Sequence, residues 1–445
     1  MLGEKKLKEI SKKVLSLAGA DETEVLLFVT NHGLTRFANS QIHQNVASED
    51  LGVSVRVAKG KRVGVASGNS FQSMALADVV RRAEELARLQ KEDPCFKSLP
   101  KPQKIPRVEK LVHQISPEER AKAVATIIKK AKAKKIIASG AFDSVISEIA
   151  VANSWGLWGY HAGSLSDLST ILQGEDSSGF ASQLGRKASE IKAEEVADQA
   201  IEKVMRGKEP RALKPAEMEV ILEPQAVSEM LAFFAWLGPN ARIYHEEASH
   251  FSGRLGETVF SEKVTIVDDP LDPEGIPMPF DFEGVPKRRL EIIKEGVLRN
   301  LVYDSYHAGK YGEENTGHGL PAPNTEGPIP LHLRLEPGEK SLEEMIKGVK
   351  KGILVSRLWY VRTLNPRYLT ITGMTRDGTF LIENGQVVGG VKNLRFNQSI
   401  PEALQNVVEI GKKLTTLTSL EMEFGANRLP ALRIGNWHFT SGTEF

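Results

Sequence analysis

Residues 220–237 read VILEPQAVSEMLAFFAWL: a short apolar strand, Val220-Ile221-Leu222, then Glu223-Pro224, then a helix that runs to the stop signal Leu237-Gly238-Pro239-Asn240. This strand-then-helix unit opens the second half of the chain. Immediately before it, residues 207–217, GKEPRALKPAE, combine Gly207, Pro210 and Pro215 with scattered charge between two well-patterned regions. The domain boundary is placed there, which divides the chain into residues 1–206, a linker 207–217, and residues 218–445. The 445 residues are about three times a typical single-domain length, so both parts can bury sizeable cores.

Working back toward the amino terminus, Glu24 to Thr30 reads as an apolar strand, and Asn31-His32-Gly33 reads as a turn into a second one. Val53, Val55 and Val57 then alternate with Ser54 and Arg56, and Lys59-Gly60 reverses the chain into Val63 and Val65. This pattern predicts an antiparallel sheet with one buried face. Helices are expected over about 70–90 and 117–134, separated by EDPCFKSLPKPQKIP, whose Pro94, Pro100, Pro102 and Pro106 block regular structure. Further strands are expected between about 140 and 175, then a helix over about 188–206. The second half is richer in strands, with Glu295-Gly296, Asp377-Gly378 and Asn384-Gly385 placed as hairpin turns. Its loop LPAPNTEGPIP, at 320–330, is long and proline-rich, the kind of loop that lines a functional surface. The fold class that follows is α+β: an amino-terminal domain of antiparallel sheet with helices, then a strand-rich domain.

Composition excludes several functions. Lys plus Arg (58) nearly cancels Asp plus Glu (57), so no global field draws in a polyanion and nucleic acid is not expected as a partner. The densest basic run, Lys129, Lys130, Lys132, Lys134 and Lys135, sits in a helical pattern and reads as a solvated face. A single cysteine, Cys95, precludes an intrachain disulfide or a thiolate cluster and suits a reducing compartment. Leu7, Ile10, Val14 and Leu17 recur at helical spacing among lysines, which is a docked amphipathic helix rather than a signal peptide. Apolar runs of about 18 residues are lacking, so no membrane span is predicted.

Candidate chemistry concentrates just after the opening unit, in His245-Glu246-Glu247-Ala248-Ser249-His250. On a regular helix residues five apart are rotated by about 140°, so His245 and His250 would need a bulge to face one ion. The segment follows a helix stop and precedes Phe251-Ser252-Gly253, so it reads as a loop. A loop could set the two histidines as metal ligands with Glu246 as the base, a third ligand such as His307, His318 or Asp269 arriving from elsewhere. The alternative is a set of exposed polar residues. Asp268, Asp269, Asp272 and Asp281 could gather around calcium or magnesium but lack the regular spacing of a dedicated loop, and beside Pro270, Pro273 and Pro277 they read as turn formers. No nucleophile elbow, phosphate loop or dinucleotide fingerprint is present in the right context.

Several phrases, in order across almost the whole chain, resemble the TldD/PmbA family: Thr35-Arg36-Phe37-Ala38-Asn39-Ser40-Gln41-Ile42-His43-Gln44, Lys61-Arg62-Val63-Gly64-Val65-Ala66, Gly253-Arg254-Leu255-Gly256-Glu257, Val267-Asp268-Asp269-Pro270, Asp281-Phe282-Glu283-Gly284-Val285 and Asn315-Thr316-Gly317-His318. The resemblance implies a curved or barrel-like sheet for the second domain. In the family's catalytic, TldD-like member the helix after the strand carries His-Glu-x-x-x-His, and a cysteine near the carboxyl terminus completes a zinc shell. Those positions fall here on Ala232, Phe233 and Leu237, none of which binds zinc or acts as a base, and Cys95 lies in the other half of the chain. The resemblance therefore implies the PmbA-like (TldE) member: no catalytic residue and no cofactor in this chain, zinc in a TldD-like catalytic partner, and a heterodimer, or a homodimer in its absence. The assembly would be a cytoplasmic zinc metallopeptidase processing or degrading small or unfolded polypeptides, an extended peptide being held by strand addition. Two other readings stand beside it: an autonomous peptidase built on His245, Glu246 and His250, and an adaptor of the kind suggested by the family's older description as a gyrase modulator.

Overall fold

The computed structural model describes residues 1–419 and 422–444. The first half builds one sheet with helices on one face. Helix α1 (Glu4–Leu17) precedes β1 (Glu22–Ala38), β2 (Gln41–Lys59) and β3 (Arg62–Gly68). Helices α2 (Ser73–Leu89) and α3 (Pro117–Ala133) follow, then β4 (Ile137–Asn153), β5 (Trp158–Gln173), β6 (Ser178–Gly185) and α4 (Ala193–Arg206). The strands are antiparallel in the order β3-β2-β1-β4-β5-β6. Leu7, Ile10 and Val14 of α1 pack with Val25, Leu27, Val53 and Val55 and with α2, while α3 and α4 cover Phe142, Leu168 and Leu172 farther along the same sheet.

Period-two alternation gives the sheet a second, largely polar face. Toward β3 and the first strand ends this face joins the core of the second half through Leu26, Ile149, Val151 and Leu157. Toward β6 it carries Asp143, Asp167, Ser169 and Ser182, which register places side by side. One turn lies elsewhere than expected. Asn31, His32 and Gly33 are inside β1, which continues to Ala38, and the reversal occurs at Asn39 and Ser40, both with positive φ (49 and 57). Asn39-Ser40 offers the left-handed pair a two-residue hairpin needs, whereas β1 stays paired on both sides through Asn31-His32-Gly33.

The second half holds β7 (Glu217–Leu222), α5 (Pro224–Leu237), α6 (Ala241–His245), β8 (Ile266–Asp268), β9 (Leu290–Lys294), β10 (Val297–Leu298), α7 (Ser305–Tyr311) and β11 (Leu333–Leu335). It continues with α8 (Leu342–Lys347), β12 (Lys351–Asn365), β13 (Thr370–Glu383), β14 (Gln386–Gly390), β15 (Leu394–Ser399), α9 (Ile400–Gln405), β16 (Val407–Ile410), β17 (Thr415–Ser419), β18 (Met422–Leu429) and β19 (Leu432–Gly442). A mixed sheet runs β10-β9-β8-β11-β18-β17, and a third runs β12-β7-β19-β15-β13-β14. Because β13 also pairs with β12, strands β12, β7, β19, β15 and β13 close into a ring, the barrel-like sheet that the resemblance implied.

Asn384-Gly385 (φ 49 and 76) and Glu295-Gly296 (φ 47 and 76) form the expected hairpin turns. Asp377-Gly378 does not. It is a bulge inside β13, where the register against β12 slips between Val355 and Arg357. Gly378 sits at φ 133, and a Cβ there would lie 2.4 Å from Ser356 Oγ, so the bulge requires glycine. Its consequence is to re-aim Asp377 at Arg357. Among the described residues no helix is long and apolar enough to cross a membrane.

Candidate functional site

Helix α5 starts with Pro224 in its first turn, where a missing N–H costs nothing, and ends at Gly238. Ala226, Val227, Met230, Leu231, Phe234 and Ala235 are buried in the largest core. Gln225, Glu229, Ala232, Phe233 and Trp236 are only partly buried, at the helical spacing i, i+4, i+7, i+8 and i+11, so they form one open stripe. Of the positions matched to the zinc-binding pattern, Ala232 and Phe233 thus lie on the open stripe and Leu237 packs in the core at 5% exposure. Phe233 stacks at a tilt on Trp236, whose Nε1 donates to Glu326 at 2.8 Å.

At the amino-terminal end of that stripe, a cavity of about 410 Å³ opens between the polar face of the first sheet, α5, β12 and β17. Asp167 of β5 lines it and makes no hydrogen bond or ion pair among the described residues; burial first, then the neighbouring Asp143 carboxylate, push its carboxyl up to about 7. Asp143 is itself engaged, 2.8 Å from His32 Nε2. Arg357 lines the cavity from β12, its guanidinium 4.4 Å from the Phe180 ring centroid and 4.8 Å from that of Trp359. Its Nε has no hydrogen-bond partner, although Glu229 at 3.8 Å and Asp377 at 3.5 Å balance its charge. Glu229 accepts from Gln225 Nε2 and the Leu358 N–H, and burial, partly offset by Arg357, pushes it up to about 7. Sequence reading missed Asp167, Arg357 and Glu229. The alternation Ser-Leu-Ser-Asp-Leu-Ser in β5, which puts a carboxyl on an inward-facing strand position, was the available signal.

The segment 245–250 is folded differently from the expected loop. Asn240 accepts from Arg242 N (3.0 Å) and Ile243 N (3.4 Å), capping α6, so His245 is a helical residue and the turn begins after it. His245 stacks on Tyr311 at 3.8 Å and its Nε2 meets the Tyr303 hydroxyl at 3.0 Å. His250 Nε2 lies 2.7 Å from Arg254 Nη1 and accepts a hydrogen bond from it. Burial holds both rings below the usual imidazole value. Both histidines and Glu247 border an open cavity of about 440 Å³, but Glu246 pairs with Arg242. The candidate third ligands are engaged elsewhere: His307 with Asp304 (2.8 Å), His318 with Asp268 and Thr316 (3.1 and 2.8 Å), Asp269 with Arg289 (3.6 Å). This arrangement does not fit zinc, since a guanidinium occupies the donor position of His250. Among the described residues no group of three or more His, Cys, Asp or Glu could hold a metal ion.

The four aspartates between Asp268 and Asp281 serve separate partners. Asp268 takes the His332 N–H (2.8 Å) and His318, with Lys287 at 4.0 Å; burial would raise it, but Lys287 and His318 hold it well below the usual carboxylate range. Asp272 binds Arg334 and Arg428 (3.0 and 2.6 Å). Asp281 caps a turn, accepting from Glu283, Val285 and Gly319 N–H groups, and burial with the Glu283 charge pushes it up to about 8. Glu283 in turn joins the halves of the molecule: Arg56 of β2 donates to it at 2.9 Å and to Glu24 of β1 at 2.7 Å.

Family models match three successive stretches: PmbA/TldA metallopeptidase domain 1 over residues 24–87, the central domain over 110–207 and the C-terminal domain over 215–441. The chain is 24% identical over 447 aligned residues to the metalloprotease PmbA of Escherichia coli O157:H7, covering 96% of each. It is 27% identical over 235 residues to a zinc metalloprotease TldD homologue of Saccharolobus solfataricus, covering 49% of this chain and 45% of that one. The fold is shared with TldE from Thermococcus kodakarensis, at a TM-score of 0.87 and 23% identity over 98% of this chain and 100% of the other. A Thermotoga maritima protein described as a modulator of DNA gyrase superposes at a TM-score of 0.85, with 20% identity over 98% of this chain and 100% of that one. With one model spanning residues 215–441 and the other two falling in order before it, the chain belongs to the PmbA/TldD metallopeptidase family.

Proposed function

We propose that this chain is the PmbA/TldE-like, non-catalytic subunit of a cytoplasmic zinc metallopeptidase assembly that processes or degrades small or unfolded polypeptides. Zinc and the catalytic base reside in a TldD-like partner, and this chain helps to enclose and hold the substrate. The observation that carries the reading is the open stripe of α5: its partly buried positions matched to the zinc-binding pattern are Ala232 and Phe233, so the face that could present metal ligands presents apolar side chains. The Arg254 contact of His250 and the Tyr303 contact of His245 argue against a substitute site in the segment 245–250.

The reading is tested by co-expressing the chain with a TldD-like chain from the same genome. A stable complex with peptidase activity well above that of either chain alone is expected. Failure to associate, together with no gain in activity, contradicts it.

A further inference from the structure

The cavity beside the amino-terminal end of α5 has one acid without a partner among the described residues, Asp167, and one guanidinium paired only at long range, Arg357. Asp167 faces it with no hydrogen-bond or ion-pair partner among the described residues, and burial with Asp143 pushes it up to about 7. A carboxyl held this way destabilises the fold whenever it is ionised, so its place on a cavity wall points to a ligand that completes it. Arg357, 8% exposed, reaches the same cavity from the third sheet, its guanidinium beside two aromatic rings and balanced at a distance by Glu229 and Asp377, at 3.8 and 3.5 Å, with no hydrogen bond to its Nε. Ser169, Ser182 and Gln225 also line the cavity, the Gln225 amide donating to Glu229 at 3.1 Å.

A donor with positive charge suits Asp167, and a carbonyl oxygen suits Arg357. Both occur together at a primary ammonium on a polypeptide. We propose that this cavity binds a primary ammonium group of a short or unfolded polypeptide at Asp167, with an adjacent peptide carbonyl on Arg357. The source is the α-amino end or a lysine side chain. The volume of about 410 Å³ lies in the range of sites that enclose small ligands. From Gln225 the open stripe of α5 leads to Ala232, about 10 Å farther along the helix axis, so a polypeptide anchored here has an apolar surface to lie along. The proposal rests on the reading of the chain as a polypeptide-holding subunit and adds to it a position and a chemistry.

Three unstructured peptides of one sequence, labelled with fluorescein at the carboxyl end, test it by anisotropy on the isolated chain: a lysine-free peptide with a free amino terminus, its acetylated twin, and an acetylated version with one internal lysine. At least one ammonium-bearing peptide is expected to bind tenfold or more tightly than the acetylated lysine-free twin, and which one does so identifies the source. The preference is expected to vanish in Asp167→Asn, whose fold is checked by circular dichroism. Arg357→Lys is expected to weaken ammonium-bearing peptides while leaving a preference. No binding, a preference below tenfold, or a preference that survives Asp167→Asn overturns the proposal. Neither partner nor zinc enters this assay, so its failure leaves the subunit assignment standing, and that assignment fails separately in co-expression and metal analysis.

Discussion

Two charged places where the first sheet meets the second half of the molecule are built differently. At one, Arg56 spans Glu24 and Glu283 with bonds of 2.7 and 2.9 Å, and Glu283 also takes the Ser305 N–H at 2.8 Å. Every acid there has a partner, and the result is a cross-link between halves. At the other, Asp167 has none among the described residues, although Arg357 across the same cavity is balanced by Glu229 and Asp377 at 3.8 and 3.5 Å. An acid whose cation is supplied specifies how two parts dock, whereas a half-buried acid without one at a cavity wall marks where something else is received.

Removing Arg56 should break this comparison most severely. Arg56→Leu leaves Glu24 and Glu283 buried without a cation, and a loss of about 3–5 kcal/mol in urea unfolding at neutral pH is expected. Burial already pushes Glu24 up to about 7, so the loss should shrink toward pH 5, where the stranded Glu24 protonates. Next in size, Asp268→Asn should cost about 2–3 kcal/mol at pH 7 by leaving Lys287 and His318 without their acid. The Asp268 carboxyl is held low, so its contribution is present above its unfolded value of about 4 and lost only as pH falls below that. Wild type and variant should therefore converge in strong acid and nowhere else.

Asp167→Asn sharpens the contrast because its sign is opposite. Its folded pKa is raised to about 7, so whatever stability the neutral acid brings is complete below about pH 4 and gone above pH 7. The variant should be more stable than wild type by about 1–2 kcal/mol at pH 8 and no different at pH 4. A destabilised variant at pH 8 would mean that Asp167 has a partner in the protein, and the open end would not be open. The smallest effects are expected at the segment 245–250, where His245→Ala and His250→Ala should each change stability by about 1 kcal/mol or less and leave metal content unaltered.

What the sequence made legible was what local pattern controls. The helices over Ser73–Leu89 and Pro117–Ala133, the strands around the central hairpins and the turn at Asn384-Gly385 follow from periodicity and from residues that favour positive φ. The errors came where tertiary pairing overrode local preference. Asn31-His32-Gly33 resembles a turn, yet strands on both sides hold it extended, and Asp377-Gly378 resembles a hairpin tip but is a bulge within a paired strand. The identities of Ala232 and Phe233, at the positions that the resemblance matches to the zinc-binding pattern, could be read directly. Asp167 and Arg357 could not be joined in the same way: they lie 190 positions apart and meet only when the first sheet docks on the ring of strands.

The most direct test of the central claim is zinc per chain, measured by elemental analysis on untagged protein purified alone and again as a complex with a TldD-like partner. The account predicts no stoichiometric zinc in the isolated chain and about one ion per pair in the complex. About one zinc per isolated chain, lost in His245→Ala, would contradict it and make residues 245–250 a metal site.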